Sequence, residues 1–285
     1  MGLSGFCEAV GFVLIVACVP AQAAPQRVVS THLCADEYVF RLVPRDHIAA
    51  LSYLAGDTSP VVSTIADKVK GIELIHASTE DVLTRSPDLV VLYEGTNPRL
   101  RSHLVEAHVP FIEIPWAESL AQVREVTRRL GAELGAPERA SAMLKTMDRE
   151  LADARADKPV RPVATLVYEP NGYATVGGVT DEVMAAAGLS NAAPSMNPTR
   201  SGTIPIEAVI AAAPELLILN GTNGRTRSEA DLVLQHPALT ALDRKTFVAT
   251  LALTPLLCPG PWSAEEAPMF AQLGREALAR NKTSP

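Results

Sequence analysis

Glu80-Asp-Val-Leu-Thr-Arg-Ser-Pro87-Asp-Leu-Val-Val91 and Glu207-Ala-Val-Ile-Ala-Ala-Ala-Pro214-Glu-Leu-Leu-Ile218 are one phrase written twice, 127 residues apart. Both copies fit Glu-x-Val-(Leu/Ile)-x-x-x-Pro-(Asp/Glu)-Leu, a short helix that proline stops, followed by an apolar strand. Helix–Pro–Asp–strand turns are common in α/β proteins. Here identity at Glu, Val, Pro and Leu is joined by matched flanks. The offset is too long for a solenoid period and suits one lobe. The expectation is two similar doubly wound α/β lobes with a cleft between them, an arrangement suited to ligand capture. A weaker echo supports it: Asp36-Glu37-Tyr38 near the start of the first half and Asp181-Glu182-Val183 in the second.

Outward from the first copy, strands are expected at 27–30, 47–51, 89–93 and 111–114, and helices at 36–42, 80–85 and 99–107. Such alternation implies a parallel sheet flanked by helices. The pattern then changes. Residues 120–134 read as one amphipathic helix, and Pro137 occupies the first position of another. In that second helix Ala140, Met143, Leu144, Met147, Leu151 and Ala154 form a single apolar stripe. It would run about 30 Å before Pro159 and Pro162 stop it. A long helix between the two repeats reads as a stiff strut. Strands at 163–168, 216–219 and 247–251, a helix at 181–187 closed by Gly188, and a terminal helix at 264–280 complete the second half. The division expected is 24–118 for the N-terminal lobe, 119–158 for the linking helices and 159–285 for the C-terminal lobe.

Residues 1–23 read as a signal peptide: an apolar run from Ala9 to Val19, then Pro20 and Ala21-Gln22-Ala23, an A-x-A cleavage site. Ile15-Val16-Ala17-Cys18 loosely resembles a lipidation signal, the other route to export. The run is too short to span a bilayer. Its loss removes Glu8 and no basic residue, moving the formal charge from −7 to −6. An acidic chain without a basic run is a poor partner for nucleic acid or anionic membranes. Cys7 and Cys18 leave with the leader, so Cys34 and Cys258 remain in an oxidising compartment.

In open α/β sheets ligands bind beyond the carboxyl ends of the strands. Of the seven Tyr and Trp residues, Tyr53, Tyr93, Trp116, Tyr168, Tyr173 and Trp262 fall at or near such ends or in the late turn. Only Tyr38 is placed within a helix. Rings gathered at one rim suit a broad, flat-walled organic ligand, although loop aromatics also cap sheet ends. Cys34 and Cys258 have three readings: a disulfide, two buried thiols, or, with His32, a soft-metal site. The other histidines, His47, His76, His103, His108 and His236, show no metal-ligand spacing. Arg99, Arg101, Arg200, Arg225 and Arg227 are the arginines that could meet anionic groups on a ligand. For catalysis there is little: Cys34 at a helix start could be an activated thiolate, but G-x-S-x-G, H-E-x-x-H and P-loop motifs are missing.

The strand at Arg27, the element 80–91, the strut and the repeat at Glu207 together resemble the class III periplasmic substrate-binding proteins that serve ABC importers of ferric siderophores, haem and cobalamin. The resemblance spans essentially the whole mature chain. It implies two lobes joined by one long helix with little closure, a monomer in the periplasm, and no catalysis. It gives Glu80 and Glu207 the role of docking onto arginines of a dimeric permease; the local alternative is a helix-start glutamate that favours the macrodipole. It further implies a cargo cleft lined by Thr31, His32, Tyr53, Tyr93, Trp116, Tyr173, Asn220 and Trp262. The chain departs from metal-ion relatives, which bring three histidines and a carboxylate to strand ends. An organic chelate is therefore favoured as cargo, an iron siderophore first and cobalamin or haem next, with no resident cofactor or metal. Rivals from other classes are an exported enzyme using Cys34 and a soft-metal chaperone using His32, Cys34 and Cys258.

Overall fold

The computed structural model describes residues 24–199, 202–221, 229–242 and 246–283. The expected leader, with Cys18, and Arg200, Arg225 and Arg227 lie outside them. The first half runs β1 (Val28–Ser30), α1 (Leu33–Leu42), β2 (Ile48–Ser52), β3 (Leu74–Ile75), α2 (Thr79–Leu83), β4 (Leu89–Tyr93), α3 (Pro98–Glu106) and β5 (Phe111–Ile114). Two helices follow, α4 (Leu120–Glu133) and α5 (Pro137–Ala156). The second half is β6 (Val163–Tyr168), α6 (Gly178–Ala186), β7 (Leu189–Asn191), α7 (Ile206–Ala212), β8 (Leu216–Asn220), α8 (Pro237–Ala241), β9 (Phe247–Leu251), α9 (Thr254–Leu257) and α10 (Ala267–Thr283).

Two separate parallel sheets result, with strand orders β3-β2-β1-β4-β5 and β7-β6-β8-β9. β1 and β4 are buried along their whole length, as parallel strands covered by helices on both faces must be. The two copies of the repeated phrase become α2–β4 and α7–β8, and β4 and β8 take the same place beside the first strand of their sheet. The likeness reaches the backbone. Ser86 and Ala213, each the residue before the proline, both sit at positive φ, 46° and 41°. The acid after each proline caps the first strand of its own lobe. Asp88 accepts from the amides of Gln26 and Arg27 at 2.7 and 2.9 Å, and Glu215 accepts from the amide of Ala164 at 3.2 Å.

The sequence pattern misses β3 and β7, which are two and three residues long. Edge strands this short leave too few residues for an alternation to register.

α4 and α5 are antiparallel partners that serve both halves. Val126, Leu130 and Leu134 join the first lobe's core, whereas Leu120 and Val123 join the second's. On α5, Ala140 belongs to the first core and Leu144, Met147, Leu151 and Ala154 to the second. The helices approach closely at Gly131, where a Cβ would collide with the Cβ of Ala140. Glu182 on α6 fixes the entry to α4 by accepting from the amide of Leu120 at 2.8 Å.

The chain then crosses back. Cys258 and Trp262 pack in the first lobe's core with Tyr38 and α1, and Cys34 and Cys258 are joined by a disulfide, 224 residues apart in sequence. Neither sulfur is therefore free to act as a nucleophile or a soft-metal ligand. Trp262 is a correction: it does not line the cleft. Its ring is 3% exposed, lies edge-on to Tyr38 at 4.8 Å and under the Arg41 guanidinium at 4.4 Å, and its N–H donates to the Cys258 carbonyl at 2.9 Å. A large ring with its one polar atom satisfied gains about 2–3 kcal/mol by full burial, and the disulfide holds its segment there.

Candidate functional site

Each of the five strands in the first sheet delivers a ring at or within two residues of its carboxyl end. Across the sheet these are His76 after β3, Tyr53 after β2, His32 after β1, Tyr93 at the end of β4 and Trp116 after β5. At about 4.8 Å between strands, the row extends roughly 19 Å. Three of the four neighbouring pairs touch: His76 and Tyr53 at 4.4 Å between centroids, His32 stacked on Tyr93 at 4.8 Å and 14°, Tyr93 edge-on to Trp116 at 6.2 Å. Tyr53 and Trp116 are about half exposed, whereas Tyr93 is almost buried. Burial also pushes the Tyr93 phenol well above its usual range, so the ring stays neutral.

His32 is fixed by the start of α1. Its side chain is the helix cap: Nδ1 accepts from the amide of Cys34 at 3.2 Å. Burial lowers its pKa, so the neutral imidazole is favoured. Beneath it, Asp36 in the first turn accepts from the Ser52 amide at 3.1 Å and the Ser52 hydroxyl at 2.5 Å, pinning the end of β2 just before Tyr53. Burial raises the Asp36 carboxyl to about 7. Asp181 does the matching job in the second lobe, bonding Asn191 at the end of β7 at 2.6 Å.

Between the lobes lies a cavity of about 630 Å³, lined by Trp116 and Glu118 from the first half and linking segment and by Glu169, Thr175, Asn220, Leu253 and Leu257 from the second. The second lobe contributes apolar side chains, Val167, Val179, Leu253 and Leu257 among them, together with a few polar groups. Glu169 accepts from the Thr175 hydroxyl at 2.8 Å, and the Asn220 carbonyl is spent on the amide of Leu253 at 3.0 Å, leaving its NH₂ as donor. Gly177 and Gly178, at φ 79° and 72°, face open space, so no side chain fills this stretch of wall. Across the mouth, Thr254 donates to the carbonyl of Pro60.

Among the residues expected at the cleft, Trp116 and Asn220 wall the cavity, His32, Tyr93 and Tyr53 continue from it along the first lobe's rim, and Tyr173 is 42% exposed on the second. Thr31 is 9% exposed and donates its hydroxyl to the Val91 carbonyl at 3.3 Å, so its proton serves the sheet rather than the cleft. Tyr168, one of the rim rings read from the sequence, also turns inward, donating to the Ile204 carbonyl at 2.8 Å. The sequence reading passed over Glu118, Glu169, Thr175 and His76. Glu169 follows β6 directly, so the strand-end rule would have found it had it been applied to carboxylates as well as rings. Glu80 and Glu207 are exposed in the first turns of α2 and α7, and neither carboxylate forms an ion pair with a described residue. No cluster of three or more metal-ligating side chains occurs among the described residues.

Two lobes bridged by α4 and α5, with an open, ligand-sized cavity between them, have the form of a substrate-binding protein. The chain belongs to the periplasmic binding protein family, whose sequence pattern matches residues 39–249. The haem-binding protein RhuT of Roseiflexus sp. RS-1 superposes with a TM-score of 0.68 at 22% identity, over 88% of this chain and 98% of that one. The vitamin B12-binding protein BtuF of Vibrio cholerae gives 0.64 at 18%, over 89% and 98%. A haem-binding protein of Pseudomonas aeruginosa gives 0.58 at 21%, over 92% and 94%. No curated protein sequence matches. The family consists of extracytoplasmic substrate-binding components of ABC importers, and no described helix is long and apolar enough to cross a membrane.

Proposed function

We propose that this protein is a periplasmic, monomeric, non-catalytic receptor that captures a metal-organic cargo, an iron chelate first and cobalamin or haem next, and delivers it to an ABC importer. The observation that carries this reading is the row of rings along the first lobe's rim, continuous with the cavity through Trp116 and opposed by an apolar wall that carries a few polar groups. Flat π-faces hold a bulky organic shell, and a few polar groups orient it. The shared arrangement of α2–β4 and α7–β8 places Glu80 and Glu207 at equivalent exposed positions, which suits docking onto a two-fold permease. Exposed carboxylates there give steering and register more than affinity.

Native mass spectrometry of the protein purified from its periplasm, with visible absorption of the same sample, tests the reading. A retained cargo mass with iron-chelate, corrinoid or haem absorption is expected. Protein that carries no cargo and takes up none of the three classes in titration would overturn it.

A further inference from the structure

The tautomer of His32 can be assigned from its hydrogen bonding. A backbone N–H can only donate, so the bond from the Cys34 amide to Nδ1 requires that Nδ1 carry no proton. The neutral ring therefore holds its proton on Nε2, and Nε2 makes no hydrogen bond with any described residue. The ring plane is held as well, stacked on Tyr93 at 4.8 Å. To coordinate a metal through Nε2, the proton would have to move to Nδ1. Nδ1–H would then face the Cys34 amide, donor against donor, at the positive end of α1, and the helix would lose its cap.

We propose that His32 is a specificity-determining residue of the cleft. It donates from Nε2–H to an oxygen acceptor on the cargo's organic shell, a carbonyl, carboxylate or hydroxamate oxygen, and does not ligate the metal. This rests on the capture reading above and adds to it that the first lobe recognises the shell of the cargo by ring faces plus one fixed donor. Burial favouring the uncharged imidazole accords with that role. The α1 cap thus sets the tautomer, and the tautomer sets which oxygen chemistry is accepted.

Two measurements test it. In the free protein at pH 7, ¹⁵N–¹H long-range correlation of the His32 ring should report the Nε2–H tautomer; an Nδ1–H ring would overturn the donor role whatever binds. The second uses haemin, cyanocobalamin and a ferric trihydroxamate as probes with the variant His32→Asn, whose side-chain oxygen can still cap α1. For the probe that binds, affinity should fall about 5- to 50-fold, from loss of the donor at the Nε2 position, which the shorter Asn amide does not reach, and of the stacked face. The probe's metal-centred absorption bands should be the same in both proteins, and the melting temperature should change by less than about 2 °C. Bands that shift with the substitution, or full affinity in the variant, would overturn the proposal. Failure of every probe to bind wild type would count against the cleft reading itself, while the ring tautomer would still decide His32 separately.

Discussion

The first lobe's rim presents five rings from five strands, and the second lobe's rim presents one exposed ring, Tyr173, beside Glu169, Thr175 and Asn220. The lobes nevertheless share a scaffold: the same helix–Pro–strand phrase, the same left-handed residue before proline, and the same acid tying the first helix to the end of the second strand. Scaffold positions repeat because both lobes must solve one packing problem. Rim positions diverge because fewer of them are held by packing, so more of them can differ with the cargo. The first lobe is also the anchor of the molecule, since the disulfide and Trp262 bring the C-terminal segment back into its core.

Glu80 and Glu207 are where the lobes are alike at the surface, and the largest effect is expected there. Reversing both, Glu80→Arg with Glu207→Arg, should cut cargo uptake by more than about 100-fold while cargo affinity stays within about twofold; unchanged uptake would remove the docking role.

The disulfide distinguishes the lobes next. Cys34→Ser with Cys258→Ser should cost about 2–5 kcal/mol of stability, read as a drop in denaturation midpoint, because a long loop is released from the first lobe's core. An unchanged midpoint would mean that Trp262 and the strut suffice to hold that segment.

Trp116→Ala should weaken cargo binding about 10- to 100-fold, against less than about threefold for Tyr173→Ala. Equal losses in titration would show a symmetric clamp and break the contrast between the rims.

Asp36 gives a smaller effect, readable in pH. Its carboxyl sits at about 7 in the fold against 3.8 when unperturbed, with burial as the leading cause. A raised value means that the folded state binds the proton more tightly. This contribution is full below about 4 and is lost as pH rises through about 7. Between pH 5 and 8 the wild type should therefore lose on the order of 1–3 kcal/mol relative to Asp36→Asn. Parallel unfolding curves for the two proteins at both pH values would contradict this.

The smallest effect concerns the shared scaffold. Ala213→Gly should leave the protein unchanged or stabilise it by up to about 1 kcal/mol, since Ala213 holds φ at 41°. A loss of more than that would show that its Cβ packs usefully.

Much of this was legible in the chain. Local patterns fix local structure: proline stops a helix, an apolar run of five buries as a parallel strand, and the stripe from Ala140 to Ala154 can only be a long buried helix face. Repetition of the phrase at Glu80 and Glu207 then implied two lobes, the strand-end rule pointed to Tyr93 and Trp116, and the family resemblance added Asn220. Long-range choices were beyond it. Trp262, read as a rim ring from its place in the late turn, packs inward, because its loop is tied to Cys34 across more than two hundred residues. Thr31 sits at a strand end but gives its hydroxyl to β4. His76 looked isolated until β3 was laid beside β2, placing it against Tyr53. Sequence determined the elements and their repetition, since these follow from propensity and period. Tertiary structure decided which face each rim residue shows, since that depends on partners the chain brings together only once folded.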